Sequence, residues 1–153
     1  MNQIEAFMGE ALLEAECAGK EGEVPVGSIV VNSEGEIIGR GRNGSVHTGD
    51  PTAHAEIVAI REGARFLKNY RMTGCSLFVT LEPCPMCAGA LVTSRIERVY
   101  FGARDPKGGG LVSRYGIGSD GTLNHSLQVV GGVLEDECAS LLREFFTIRR
   151  VDL

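Results

Sequence analysis

The sequence predicts an α/β fold: a three-layer α/β/α sandwich around a central mixed five-stranded sheet. Three observations predict it. Short apolar runs rich in Val and Ile alternate with longer stretches of helical periodicity along the 153 residues. The first two runs flank Asn32-Ser33-Glu34-Gly35, a turn sequence that makes them a hairpin. The remaining runs are separated by helical segments.

Each element has a local reason. Ile4, Phe7, Met8, Ala11, Leu12 and Ala15 recur at three and four, predicting a helix over 4–18 with Gly19 as its C-cap. Residues 24–31 read as a buried strand, and 36–40 as its return. A glycine-rich loop covers 43–50. Thr52 can cap a helix over 53–66 that buries Ile57, Val58 and Ile60. Residues 76–81 form a continuous apolar strand, and Pro85 opens a helix over 85–94, where its missing N–H goes unneeded. A strand over 98–101, an irregular loop over 108–121 and a short strand over 127–130 follow. The last helix, 135–146, turns Cys138, Leu141, Leu142 and Phe145 inward. No internal repeat, linker or low-complexity tract interrupts this order.

Composition sets the class. Hydrophobic residues make up 43% and charged residues 23%, ordinary globular usage for one domain. No run approaches the roughly 20 apolar residues that span a bilayer, and the acidic start Met1-Asn2-Gln3-Ile4-Glu5 lacks a signal peptide's basic region. The expectation is a cytoplasmic protein with no membrane partner. Five cysteines, an odd number, argue against a disulfide framework. A net charge of −5 speaks against a general nucleic-acid binder. A local patch remains open, with Arg65, Lys68, Arg71, Lys107, Arg114 and Arg149-Arg150 as its candidates or as a solvated mixed surface.

Two segments carry the chemistry: His54-Ala55-Glu56, and Pro83-Cys84-Pro85-Met86-Cys87 about thirty residues later. One imidazole and two thiols are zinc ligands, and three ligands leave a tetrahedral Zn²⁺ one open position, where water is activated. This H-x-E…P-C-x-x-C pattern is that of zinc nucleobase deaminases. Cys84 at the N-cap and Cys87 at the third helical position converge at a helix tip whose dipole favours thiolate. Two thiolates and a neutral imidazole leave the ion with no net charge, which keeps it a good Lewis acid. Glu56, at i+2 from His54, does not share its face in a regular helix. It fits a proton shuttle over the activated water better than a second ligand.

Other readings compete. A closed site would need a fourth ligand from Cys75, His47 or His125. Cys-Pro-Met-Cys after a strand also resembles a thioredoxin-type redox pair, which leaves His54 and Glu56 idle. Two G-x-G-x-x-G matches, 39–44 and 116–121, do not lead into helices and so lack the context of a dinucleotide site.

The chain resembles the bacterial tRNA-specific adenosine deaminases of the cytidine deaminase-like superfamily. The resemblance rests on the zinc motif and on Val24-Pro25-Val26-Gly27, 50–57, Asn69-Tyr70-Arg71 and 80–84. It extends through 86–90, Ser94-Arg95-Ile96, 101–105, Leu123-Asn124-His125 and the Phe145-Phe146 region, nearly the whole chain. It implies a single zinc-dependent deaminase domain over 1–153 with the cytidine deaminase-like fold and one Zn²⁺ per subunit. The implied ligands are His54, Cys84 and Cys87, with Glu56 catalytic. The implied reaction is hydrolysis of adenosine to inosine at the wobble position of a tRNA anticodon. Asn43 is expected to contact the flipped base, Val26 to wall the pocket, and the Ala55 amide to orient the base. Asp105, Lys107, Phe145, Phe146 and Arg149 resemble positions near the RNA, although helix packing also accounts for one of the two phenylalanines. The expected partners are a tRNA anticodon stem-loop and a second copy in a homodimer. Segment 110–120, with Arg114 and Tyr115, departs most from the family pattern. The alternatives are a zinc deaminase of free guanine, cytosine or cytidine, and a non-catalytic zinc-stabilised RNA-binding module.

Overall fold

Asn2 starts the first helix by accepting the Glu5 N–H on its side chain (2.8 Å). A computed structural model describes residues 2–151, the side chains of Arg150 and Val151 excepted. The Arg150 side chain considered above, and the extreme ends of the 1–153 domain, lie outside the described residues. Helix α1 spans Gln3–Lys20. Gly19 does not end it; the chain turns at Glu21 and Gly22, the latter at φ +83°. Strand β1 is Gly27–Val31 and β2 is Ile37–Arg42. β1 begins later than expected because Val24-Pro25-Val26 makes a turn, with Val26 N–H on Val24 O (2.8 Å). Asn32 closes the hairpin by accepting the Glu34 and Glu36 amides, and Gly35 takes φ +82°.

The glycine-rich loop holds a one-turn helix, α2, Ser45–Thr48, that the sequence did not announce. Helix α3 is Ala55–Leu67, β3 is Ser76–Leu81, and α4 is Pro85–Thr93. Then come β4, Arg98–Ala103, β5, Gln128–Val130, and α5, Glu135–Val151, a turn longer than expected.

The sheet order is β2-β1-β3-β4-β5. β1 pairs antiparallel with β2 and β3, while β3, β4 and β5 run parallel, so the sheet is mixed and five-stranded as expected. Alternate residues feed opposite faces. Ile29, Val31 and Phe78 pack with Met8 and Ala11 of α1 and Cys138 of α5. Val30, Leu77 and Val79 pack with Ala55 and Ala59 of α3 and Ala88 and Leu91 of α4. The sheet is thus the middle of three layers.

The expected inward face of α3 needs correction. Ile57, Val58 and Ile60 are only half-buried, and the buried residues are Ala55, Glu56, Ala59 and Gly63. Glycines on the sheet explain this. A Cβ on Gly39 would collide with Ala59 O, and one on Gly41 with Ala55 O and Ala59 N. Gly27 is likewise pressed against Ala11 O and Ala15 N of α1. Helix backbones therefore lie directly on the strands. The first G-x-G-x-x-G match, 39–44, is a packing feature, since its first two glycines are these contacts.

Candidate metal centre and adjoining cleft

Two helix starts meet at one end of the sheet. His54, in extended backbone (φ −77°, ψ 152°), is the N-cap of α3, and Cys84 (φ −71°, ψ 172°) is the N-cap of α4. The expected cap, Thr52, instead donates its hydroxyl to Asp50 (2.7 Å), so α3 begins at Ala55 and His54 is left just outside its first turn. Pro85 occupies the first turn of α4, and Cys87 lies at its third position, as the sequence predicts.

His54 Nδ1 is 3.5 Å from Cys84 Sγ and 3.5 Å from Cys87 Sγ. The three donor atoms lie within 4.8 Å of one another. A tetrahedral centre with ordinary Zn–N and Zn–S bonds separates N from S by about 3.6 Å. The donor set therefore fits Zn²⁺ in both chemistry and spacing. Among the described residues this group has three members; Cys75, His47 and His125 do not join it, and neither does Glu56. His125 instead pairs its Nε2 with Ile96 O (2.7 Å). A closed site with four protein ligands has no fourth donor there.

The electrostatics suit a cation. The Cys87 thiol hydrogen-bonds Cys84 and pulls its pKa down to about 5 against the cost of burial. The same bond and burial push the Cys87 thiol up, and a cation held between the two sulfurs would favour the thiolate form of both. Glu56 is 4% exposed. Burial raises its carboxyl to about 7, with the Cys84 charge adding to the effect, while its own backbone N–H and His54 oppose. A carboxyl poised near neutrality beside the donor cluster is suited to accepting and returning a proton.

A cleft of about 330 Å³ adjoins the cluster. Residues 22–24, Asn43, Ser45 and Val46, His54, and Phe145, Phe146 and Arg149 line it. His54 belongs to both the donor cluster and the cleft wall. Asn43 is held from two sides: its N–H donates to Val26 O (3.2 Å), and its Oδ1 accepts the Ala55 N–H (2.9 Å). The Ala55 amide is thus engaged by Asn43, which leaves the Asn43 NH₂ as the remaining donor of that side chain. Arg149 lies 4.6 Å over the Phe145 ring and donates to Gly22 O, tying the far end of α5 to the cleft. Asp105 and Lys107 are not in this lining. They sit on the loop after β4, where Asp105 Oδ1 accepts the Lys107 and Gly108 amides.

Two further buried glutamates, which no motif in the sequence marks, hold the surroundings of the cleft and the cluster. Glu23 accepts the Val46 (3.1 Å) and His47 (2.7 Å) amides and so holds α2 at the cleft. Glu82 accepts the amides of Asp105, Val112 and Ser113 and the Ser113 hydroxyl. Burial works to raise its carboxyl, but these bonds win and hold it below its usual range. The available signal was a charged residue lodged at the end of an apolar run, immediately before Pro83-Cys84. Among the described residues no helix is long and apolar enough to cross a membrane.

Residues 1–103 match the family model for the cytidine and deoxycytidylate deaminase zinc-binding region. The chain is 49% identical over 146 residues to a tRNA-specific adenosine deaminase of Haemophilus influenzae, covering 95% of this chain and 84% of that protein. A Bacillus subtilis protein of the same name is 47% identical, with coverage of 95% and 90%. Among solved structures, one from a study of A-to-I editing by tRNA:A34 deaminases at the wobble position superposes with a TM-score of 0.86 at 44% identity. It covers 90% of this chain and 99% of that one.

Proposed function

The chain belongs to the cytidine and deoxycytidylate deaminase family, in its tRNA-specific adenosine deaminase branch, and from that premise we propose that it converts adenosine to inosine at the wobble position of a tRNA anticodon. One observation carries the reading: the three-donor cluster of His54, Cys84 and Cys87, with Glu56 buried beside it, opens onto a cleft lined by Asn43, Phe145, Phe146 and Arg149. The chemistry consumes water and releases ammonia from C6 of adenine.

The cofactor is zinc, one ion per subunit, with His54, Cys84 and Cys87 holding it. When bound, it supplies a Lewis acid that makes water a nucleophile near neutral pH. Glu56 would serve as the proton carrier of the site, taking a proton from the attacking water, giving it to adenine N1 and returning one to the departing amine. The Asn43 NH₂ donates to the base and Val26 closes the pocket behind it. Ala55 acts through its bond to Asn43, fixing which way that amide points. Phe145 and Phe146 offer ring faces on which unstacked bases settle, and Arg149 offers positive charge beside them. Asp105 and Lys107 approach the RNA from the other loop. Residues 1–153 act as one deaminase domain, as a homodimer, in the cytoplasm, where the tRNA is. An anticodon loop already displays its bases, so little unstacking is required.

The test is ammonia and inosine formation on an anticodon stem-loop carrying A at the wobble position, run beside free adenosine, guanine and cytidine. Turnover of the stem-loop with none of the free compounds is expected. Turnover of guanine or cytidine alone would overturn the RNA assignment. Absence of turnover on every substrate, with four protein ligands on the metal by X-ray absorption, would overturn the enzyme reading. Sedimentation at low micromolar concentration checks the dimer; a monomer there contradicts it.

A further inference from the structure

We infer that Glu82 is a positioning residue for the Cys84 thiolate: it fastens the 105–113 loop onto the peptide of Cys84 and thereby fixes where that sulfur points. The inference rests on the reading of His54, Cys84 and Cys87 as metal ligands.

Glu82 is 2% exposed, yet carries a full set of partners. Oε2 accepts the amides of Val112 (2.9 Å) and Ser113 (2.9 Å), and Oε1 accepts the Asp105 amide (3.2 Å) and the Ser113 hydroxyl. Three N–H groups and one O–H converge on one side chain. Only an ionised carboxylate offers acceptors to all four; a glutamine would present an NH₂ to donors. These donors are 23 to 31 residues away in sequence, so the bonds join two separate segments.

The loop thus fastened rests on the metal-bearing turn. Gly110 N–H donates to Pro83 O (2.7 Å). A Cβ on Gly110 would stand 2.8 Å from Cys84 C and O and 2.9 Å from Pro85 N, so the loop backbone is seated on the Cys84 peptide itself. A Cβ on Gly109 would strike the Glu82 carboxylate. From the sheet side, Glu82 N–H donates to Ala103 O (2.8 Å), and from the helix side Ala88 N–H donates to Cys84 O (2.8 Å). The turn 82–84 that carries Cys84 is held on three sides, and the loop side depends on Glu82. Partners behind metal ligands set ligand direction, and losing one weakens binding by about 10- to 100-fold.

The experiment compares zinc dissociation constants, by competition with a chromophoric chelator, and the visible spectrum of the Co²⁺-substituted protein. Glu82→Gln and Gly109→Ala are each expected to weaken zinc at least about tenfold and to shift the sulfur-to-cobalt absorption. Ser113→Ala, which removes one donor and leaves the rest, should give a smaller change in the same direction, and Ser113→Thr should restore wild-type values. Folded Glu82→Gln and Ser113→Ala proteins with lower Tm but wild-type zinc affinity and cobalt spectrum would mean a purely structural role and overturn the proposal. Wild-type protein that takes up no zinc would overturn the metal-site reading, and this proposal with it.

Discussion

Glu56 and Glu23 are both buried carboxylates near the donor cluster, and their surroundings give them opposite duties. Glu56 is raised to about 7 by burial and stays outside the ligand group, so its proton is exchangeable and its loss leaves the donors intact. Glu56→Ala is expected to lower turnover on the stem-loop by at least about 10²-fold while retaining one zinc by elemental analysis. Loss of zinc in that variant would make Glu56 a ligand. Glu23 is committed to the Val46 and His47 amides and faces the cleft. Glu23→Gln turns an NH₂ toward those donors and loosens α2. KM for the stem-loop should rise about tenfold, the effect of roughly 1.4 kcal/mol, within the range for a charged hydrogen bond, with kcat nearly unchanged. An equal fall in kcat would place Glu23 in the chemistry. The ligands were legible in the sequence because their residue types and spacing form a metal-binding pattern, with Cys84 and Cys87 on one helix start and His54 on another thirty residues earlier. Glu23 and Glu82 were not, since their partners lie some twenty or more residues away and only folding brings them together.

Elements show the same division between local and distant causes. Runs such as Ser76–Leu81 could be read because their apolar continuity is a property of the segment itself. The one-turn helix Ser45–Thr48 is too short to show a period, and its amides are held by Glu23 from outside. The buried face of α3 was misread because size suggests Ile57, Val58 and Ile60, whereas contact with Gly39 and Gly41 selects Ala55, Ala59 and Gly63. That contact is testable. Gly41→Ala places a methyl against Ala55 O and Ala59 N, and since α3 opens at His54, relief of the clash moves a metal donor. A loss of about 1–3 kcal/mol in denaturant unfolding is expected, accompanied by weaker zinc binding. Unchanged stability would show that the layers can separate freely there.

At the scale of the whole molecule, charge and metal decide behaviour. The chain carries −5 overall, so the proposed RNA substrate would be met by a few local cations and not by a general field. If Arg149 and Lys107 supply about two to three phosphate contacts, log K should fall with log salt at a slope of about −1.4 to −2.1; a slope several times steeper would reveal a broader basic surface. Metal removal gives a second expectation. Dialysis against a chelator should abolish turnover and lower Tm, and zinc should restore both. At a thousandfold excess over Kd, a ligand bound only to the folded state contributes about 4 kcal/mol. An unchanged Tm would show that the three donors are placed by the fold without help from the ion.

The placement of His54, Cys84 and Cys87 in the middle of the chain, with Phe145, Phe146 and Arg149 near its end, has a consequence in time. A ribosome releases the chain from its N-terminus, so the metal donors and one wall of the cleft, residues 22–24, Asn43, Ser45 and Val46, emerge long before Phe145, Phe146 and Arg149 of the other wall. A nascent chain has its zinc ligands early and lacks a place for substrate until α5 docks. The donor cluster is thus complete first and the cleft last, an order of birth written into which end of the polypeptide supplies which wall.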